Sequence, residues 1–220
     1  MNTKAPAETT PLRVTTDVVI FTINEHRLQL LLRRQDGADN AWAFPGGFMG
    51  PDQDLQLCAL EALARDTGIS GVYLEQLYTF DWPDPDQGDR VIHVAFYALT
   101  PWDRLQGLAG DVNTQWFPMD QLPALSREQI MVVEAAQQRL VAKLDYSTIA
   151  YEFMSESFTL SQLQAVYEII RREKLDKRNF RKQVLGLHHI EATDKFRRNG
   201  SHRPARLYRK IHPGQVTIIK

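Results

Sequence analysis

The chain has 220 residues, 26 Lys+Arg against 27 Asp+Glu, a formal net charge of −1 and a 43% hydrophobic fraction. That composition fits one large or two small folded domains and excludes wholesale disorder. No apolar run approaches the roughly 18 residues of a membrane span, the start MNTKAPAETTPLR has no apolar signal core, and a lone Cys58 excludes an internal disulfide or a multi-Cys zinc site.

The expected location is therefore the cytoplasm, with Cys58 a buried structural thiol. The near-zero net charge hides an asymmetry. Met1–Asp145 holds 11 Lys+Arg against 20 Asp+Glu, a balance of −9, and Tyr146–Lys220 holds 15 against 7, a balance of +8. Such a split suggests two bodies with different partners, the basic one suited to nucleic acid or an anionic membrane.

Residues 1–12 are polar with two prolines and read as an arm. Val14–Ile23 is rich in β-branched residues and predicts a strand, followed by a turn at Asn24–Arg27 and a second strand at Leu28–Leu32. Asp36–Asn40 reads as a loop, and Ala41–Phe48 is an apolar stretch ending on a glycine pair. A helix follows Pro51 and Asp52, stopped by Gly68, with Leu55, Cys58, Ala59, Ala62 and Leu63 on its core face. Val72–Tyr78 and Val91–Leu99 predict strands on either side of the acidic loop Asp81–Arg90. A long connection leads to QWFPMDQLPAL, after which Ser126 and Gln129 make a capping box for a helix to about Leu144.

The pattern then changes. Thr159 and Gln162 form a second capping box, and Asp176 caps a further helix ending near Gly186. IEATDKF and ARLYRKI flank a basic turn, so a hairpin follows the helix pair. Helix, helix and basic hairpin is the order of a winged helix-turn-helix. The expected domains are 13–145, an α+β effector domain, and 146–220, a DNA-binding domain.

From Asp176 onward 12 Lys+Arg face 3 Asp+Glu, a density suited to the phosphates of double-stranded DNA. Phe180, Val184, Leu185 and Leu187 are expected to form the buried face of the last helix. Arg178, Asn179 and Arg181 are the candidates for base contact, since Arg pairs bidentately with guanine and Asn with adenine. Lys177 and Lys182 suit phosphates, and Arg197, Arg198, His202 and Arg203 suit a wing that enters a groove or clamps the backbone. A solvated basic face is the competing reading. His188 and His189 read as helix-end groups, and Tyr208 as a core aromatic. His93 either faces a ligand or satisfies a core hydrogen bond.

Gly46–Ile69 (GGFMGPDQDLQLCALEALARDTGI) resembles a Nudix box, G-x5-E-x7-R-E-U-x-E-E-x-G-U with U apolar, aligned on Gly47, Leu63, Gly68 and Ile69. The spacing is intact and the chemistry is not. The motif's first Glu falls on Gln53, its Arg on Glu61, its next Glu on Ala62, and its two metal-binding Glu positions on Arg65 and Asp66. Hydrolysis of this type needs carboxylates to hold divalent cations, and a guanidinium there repels them. Gly46 and Gly47 are expected to offer backbone N–H groups to a phosphate.

FTLSQLQAVYEIIRREKLDKRNFRKQVLGL with RPARLYR, and YTFDWPDPDQGDRVIHVAFYAL before them, resemble the Nudix-related transcriptional regulators, the NrtR family. The resemblance spans about Val14 to His212. It implies a Nudix-type α/β/α sandwich with a mixed sheet, followed by a winged helix-turn-helix. It also implies a homodimeric repressor of NAD or related nucleotide genes that reads a palindromic operator and leaves it on binding ADP-ribose or a relative. No metal, cofactor or membrane is called for. Expected effector contacts are Arg34, Phe44, Gly46, Gly47, Phe48, Arg90 and His93. Asp81, Asp84, Asp86 and Asp89 depart from the arginine-rich loop of ADP-ribose-sensing members, so either these acids face solvent or the effector is a different one. The alternative function is an active hydrolase of a nucleoside diphosphate derivative with an accessory nucleic-acid domain.

Overall fold

The computed structural model describes residues 12–35, 41–83, 90–105, 113–198 and 204–219. Strands β1 (Arg13–Asn24) and β2 (Arg27–Arg34) form an antiparallel hairpin. Its two-residue turn is Glu25 and His26, both at positive φ (49° and 59°), the backbone such a tight hairpin requires even without glycine. Next come β3 (Trp42–Ala43), β4 (Gly46–Phe48), α1 (Leu55–Thr67), β5 (Tyr73–Pro83), β6 (Arg90–Leu99), β7 (Thr114–Pro118) and α2 (Arg127–Lys143). The sheet runs β3-β2-β1-β6-β5, with β4 added to β1 and β7 to β2. Only β1 and β6 are parallel among its pairings, so the sheet is mixed.

β1 lies at the centre, which explains its nearly continuous apolar run: both faces are covered. Val18 and Ile20 pack with Ala59 and Leu63 of α1 on one side. Val19 and Phe21 pack with Val132, Ala136 and Leu140 of α2 on the other. The expected sandwich is therefore present. Asp54 caps α1 by accepting from Leu57 N (2.7 Å), and Gly68 ends it at φ 71°. Ser126 and Gln129 complete the capping box of α2.

Two expectations needed correction in this part. β5 continues through Asp81, Trp82 and Pro83, which read as loop, because these residues pair in register with Ile92, Val91 and Arg90. Thr114–Pro118, for which no strand is expected from the sequence, is β7, an added strand on β2.

The second part consists of a 3-10 turn (Ile149–Phe153), α3 (Leu160–Arg171), α4 (Lys177–Gly186) and the hairpin β8 (Ile190–Arg197) and β9 (Ala205–Lys210). The capping box of α3 and the Asp176 cap of α4 are both formed. Leu185 is 41% exposed, so the buried face of α4 is Phe180 and Val184 and excludes it. Gly186 is the last helical residue, and the left-handed residue beyond it is His188 (φ 55°).

The two parts share one core. The cluster that begins at Val19 and Phe21 continues through Leu144, Ile149 and Phe153 to Phe158, Leu163, Phe180 and Ile190. Polar ties reinforce it. Lys210 of β9 pairs with Glu152 at 3.2 Å with both side chains largely buried. The stretch Thr217–Ile219 returns to Tyr146–Thr148: Thr148 N donates to Thr217 O (3.0 Å) and Ile219 N to Tyr146 O (2.8 Å).

Candidate functional site

The glycine pair sits where β4 meets β1 and α1. Gly46 approaches β1 so closely that an added Cβ would lie 2.3 Å from Thr16 O. Its N–H donates to Asp66 Oδ2 (3.1 Å), and its carbonyl accepts from a terminal nitrogen of Arg65 (2.8 Å). Arg65 Nε also meets Asp66 Oδ1 at 2.8 Å, and Arg33 Nε, from β2, meets Asp66 Oδ2 at 3.3 Å. Gly46 therefore does not present an open N–H to a phosphate, contrary to the reading of the sequence, because the Asp66 carboxylate takes it. Gly47 is paired with Thr16 in the β1–β4 ladder, and its carbonyl accepts from Thr15 Oγ1 (3.0 Å).

Thr15 is the hinge of this region: it is in register with Phe48 on one side and with His93 on the other. Phe48 is 53% exposed, with the Arg13 guanidinium 3.8 Å from its ring centroid. His93 Nδ1 lies 2.8 Å from Asp17 Oδ2, and its ring is 5.3 Å from that of Trp82, which stacks on Phe80 at 4.7 Å. Of the two open readings of His93, the hydrogen bond is met by Asp17, and the imidazole is partly exposed beside the two aromatic rings. Gly46, Gly47, Phe48 and His93 are brought together. Arg34 stands on β2, stacked on Trp42 at 4.3 Å. Phe44 is 6% exposed and belongs to the core, where it cannot line an open site. Arg90 is ion-paired to Asp81 at the outer edge of the sheet, so one acid of that loop is neutralised. Asp84, Asp86 and Asp89 lie outside the described residues.

Asp17, Arg33 and Trp82 were missed in the sequence. A carboxylate inside the run VTTDVVI was the available signal for Asp17, and none distinguished Arg33 from an ordinary strand-end cation. Among the described residues no three His, Cys, Asp or Glu side chains converge in a way that could hold a metal ion.

A second polar network lies between β5, β6 and α2. Glu75 accepts from Tyr97 OH (2.8 Å), from Tyr73 and from Lys143. Burial pushes the Glu75 carboxyl up, but these hydrogen bonds outweigh it and hold it below the usual range. The same burial and the facing carboxylate push both tyrosines up.

In the second part the turn between α3 and α4 is built around Glu168. It accepts from Lys174 Nζ (2.9 Å), Leu175 N (3.1 Å) and Gln164 Nε2 (2.9 Å), which hold its carboxyl down at about 2. Arg172 turns the chain at φ 57°. The turn presents α4 with Lys177, Arg178, Asn179, Arg181 and Lys182 exposed. None of these four cations forms an ion pair with a described residue, and neither do Arg197 and Arg198 of the hairpin. A groove of about 710 Å³ runs between the start of α3, α4 and the hairpin, lined by Ser161, Lys177, Arg181, Phe196, Arg197 and Arg206. Phe196 is 58% exposed, with Arg206 at 5.8 Å over its ring; neither was singled out in the sequence. His202 and Arg203 lie outside the described residues. No helix among the described residues is long and apolar enough to cross a membrane.

Comparisons agree with this two-part arrangement. Residues 11–136 match the NUDIX domain and residues 150–210 match the NrtR DNA-binding winged helix domain. The chain is 32% identical over 203 residues to the ADPR responsive transcriptional repressor NtrR of Acinetobacter baylyi, covering 89% of this chain and 81% of that one. It superposes on Shewanella oneidensis NrtR in complex with a 27mer DNA with a TM-score of 0.81, at 30% identity over 90% of this chain and 93% of that one. It also matches the NUDIX domain of Shewanella oneidensis NrtR complexed with ADP ribose, with a TM-score of 0.51 at 27% identity over 63% of this chain and 94% of that one. A Nudix sandwich whose signature carboxylates are largely replaced, joined through a shared core to a winged helix with open cations, places this chain in the NrtR family of Nudix-related transcriptional regulators.

Proposed function

We propose that the protein is a cytoplasmic, homodimeric repressor whose winged helices read a palindromic operator and whose Nudix domain binds ADP-ribose or a related nucleotide and then releases DNA. The observation that carries this is α4: its cations are exposed, with no ion-pair partner among the described residues, beside a groove shared with the hairpin. Arg178, Asn179 and Arg181 read bases, while Lys177, Lys182, Arg197, Arg198, His202 and Arg203 hold phosphates. The related Shewanella protein was crystallised with DNA and its NUDIX domain with ADP ribose, which supports both partners. Effector contacts are assigned to Gly47, Phe48, His93 and Arg34, with Trp82 as an aromatic shelf.

Release follows only if the effector prefers a dimer geometry that does not fit the operator. The domain binds the nucleotide without cleaving it, because Asp66 of α1 is engaged by arginines and the Gly46 N–H. NAD-related genes are the expected targets. A gel shift against the upstream region of the neighbouring operon is the test. Specific retention that ADP-ribose abolishes is expected; binding indifferent to sequence and to every nucleotide would sink the reading. A phosphate-release assay with Mg²⁺ or Mn²⁺ and a nucleotide panel tests the non-hydrolytic part, and robust turnover would overturn it.

A further inference from the structure

Nudix chemistry implies divalent cations on the signature helix, and the residues on α1 do not fit them. The two positions that would hold the ion are Arg65 and Asp66. Asp66, with a side chain only 10% exposed, is engaged on both oxygens: Oδ2 by Gly46 N–H and Arg33, and Oδ1 by Arg65. Glu61, the next acid along the helix, accepts from Gln53 Nε2 at 2.5 Å. An incoming dication would have to strip two guanidiniums from Asp66 and would then sit against their charge.

The same cluster has the chemistry of an anion site. Arg33 and Arg65 both reach the Asp66 carboxylate beside the glycine pair. Arg65 is anchored through Nε to Asp66 and through one terminal nitrogen to Gly46 O, yet its side chain is 62% exposed. Its other terminal nitrogen has no partner among the described residues. Asp66 and the Gly46 carbonyl therefore fix the orientation of a planar cation whose outer edge faces solvent. Such a pre-oriented fork matches two oxygens of a phosphate, whereas a lysine would offer only a point charge.

We propose that the Arg65–Asp66–Arg33 cluster replaces the divalent cation of the Nudix fold and receives a diphosphate directly, so that the ligand is held without metal. The proposal rests on the nucleotide-effector reading above and narrows it to the ligand's diphosphate. A guanidinium neutralises phosphate charge but does not turn bound water into hydroxide, as a metal does. The exchange of acid for arginine thus keeps the bound molecule intact, which is what a sensor needs.

The test is calorimetric titration of the full chain with ADP-ribose and, separately, with inorganic pyrophosphate, each with EDTA present; the ADP-ribose titration is repeated with Mg²⁺. The wild type is expected to bind both ligands in EDTA, with its ADP-ribose affinity changing less than twofold when Mg²⁺ is supplied. Arg65→Ala is expected to weaken both ligands about tenfold or more in EDTA, and Arg65→Lys to recover only part of the loss. Circular dichroism confirms that these variants at an exposed position are folded. ADP-ribose binding that requires Mg²⁺ would overturn the inference and leave the effector reading standing. Arg65-dependent pyrophosphate binding without any ADP-ribose binding would do the reverse. Failure of both ligands to bind in EDTA, or affinities untouched by Arg65→Ala, would also overturn the inference.

Discussion

Helices α1 and α4 both carry arginines, and they use them in opposite ways. On α1 the charge is fixed in place: Arg65 is tied to Asp66 and to the Gly46 carbonyl, and Asp66 also holds Arg33 and the Gly46 N–H. On α4 the cations have no acidic partner among the described residues and lie on the exposed side of a helix buried only through Phe180 and Val184. The difference separates two tasks. A site that must hold one small ligand in a fixed pose benefits from groups whose orientation is set beforehand. A surface that must meet a long polyanion benefits from many cations that release counterions on contact.

The largest way to break the first half of this contrast is Gly46→Ala. The added methyl would meet Thr16 O at 2.3 Å, so β4 must leave β1 and carry the Asp66 cluster with it. A loss of about 3 kcal/mol is expected from chemical denaturation, at the upper end of overpacking costs. The second half is broken by Arg181→Ala, expected to weaken specific operator binding by about 1–3 kcal/mol while leaving non-specific binding little changed, as read by fluorescence anisotropy on specific and scrambled duplexes.

Thr159→Ala removes the side-chain acceptor for Gln162 N at the start of α3 and is expected to lower thermal stability by about 1 kcal/mol. Lys182→Ala should reduce the slope of log affinity against log salt by about one, with no change in sequence preference. The smallest effect concerns pH. Glu168 is held at about 2 in the folded protein against an ordinary 4.5, so its contribution is complete above about 4.5 and is lost as the pH falls toward 2. Replacing it in Glu168→Gln should flatten the acid limb of the melting-temperature profile; an unchanged limb would show that the α3–α4 turn does not depend on that charge.

Much of this arrangement is legible in the chain. Ser126–Gln129 and Thr159–Gln162 announce their helices because a capping box is a local pattern of side chain and backbone. The failures have non-local causes. Asp81-Trp82-Pro83 reads as part of an acidic loop, yet β6 supplies a partner strand in register. β7 is five residues with mixed burial, and only β2 makes it a strand. Leu185 falls on an apolar spacing but emerges on the open side of α4. The site shows the same limit. Spacing alone locates Arg65 and Asp66, but the engagement of Asp66 by Arg33 depends on β2 and α1 meeting across 33 positions of sequence.

The return of Thr217–Ile219 to Tyr146–Thr148 has a mechanical consequence. A module hung on a single strand of chain can swivel, and a signal reaching it is easily dissipated. Here the passage from α2 is crossed by a second stretch of chain and packed into the shared core, so the chain behaves as a stiff lever. In the homodimer proposed above the pivot then lies between subunits, and a slight tilt near the two-fold axis would be amplified at the far end, where α4 must match the pitch of the double helix.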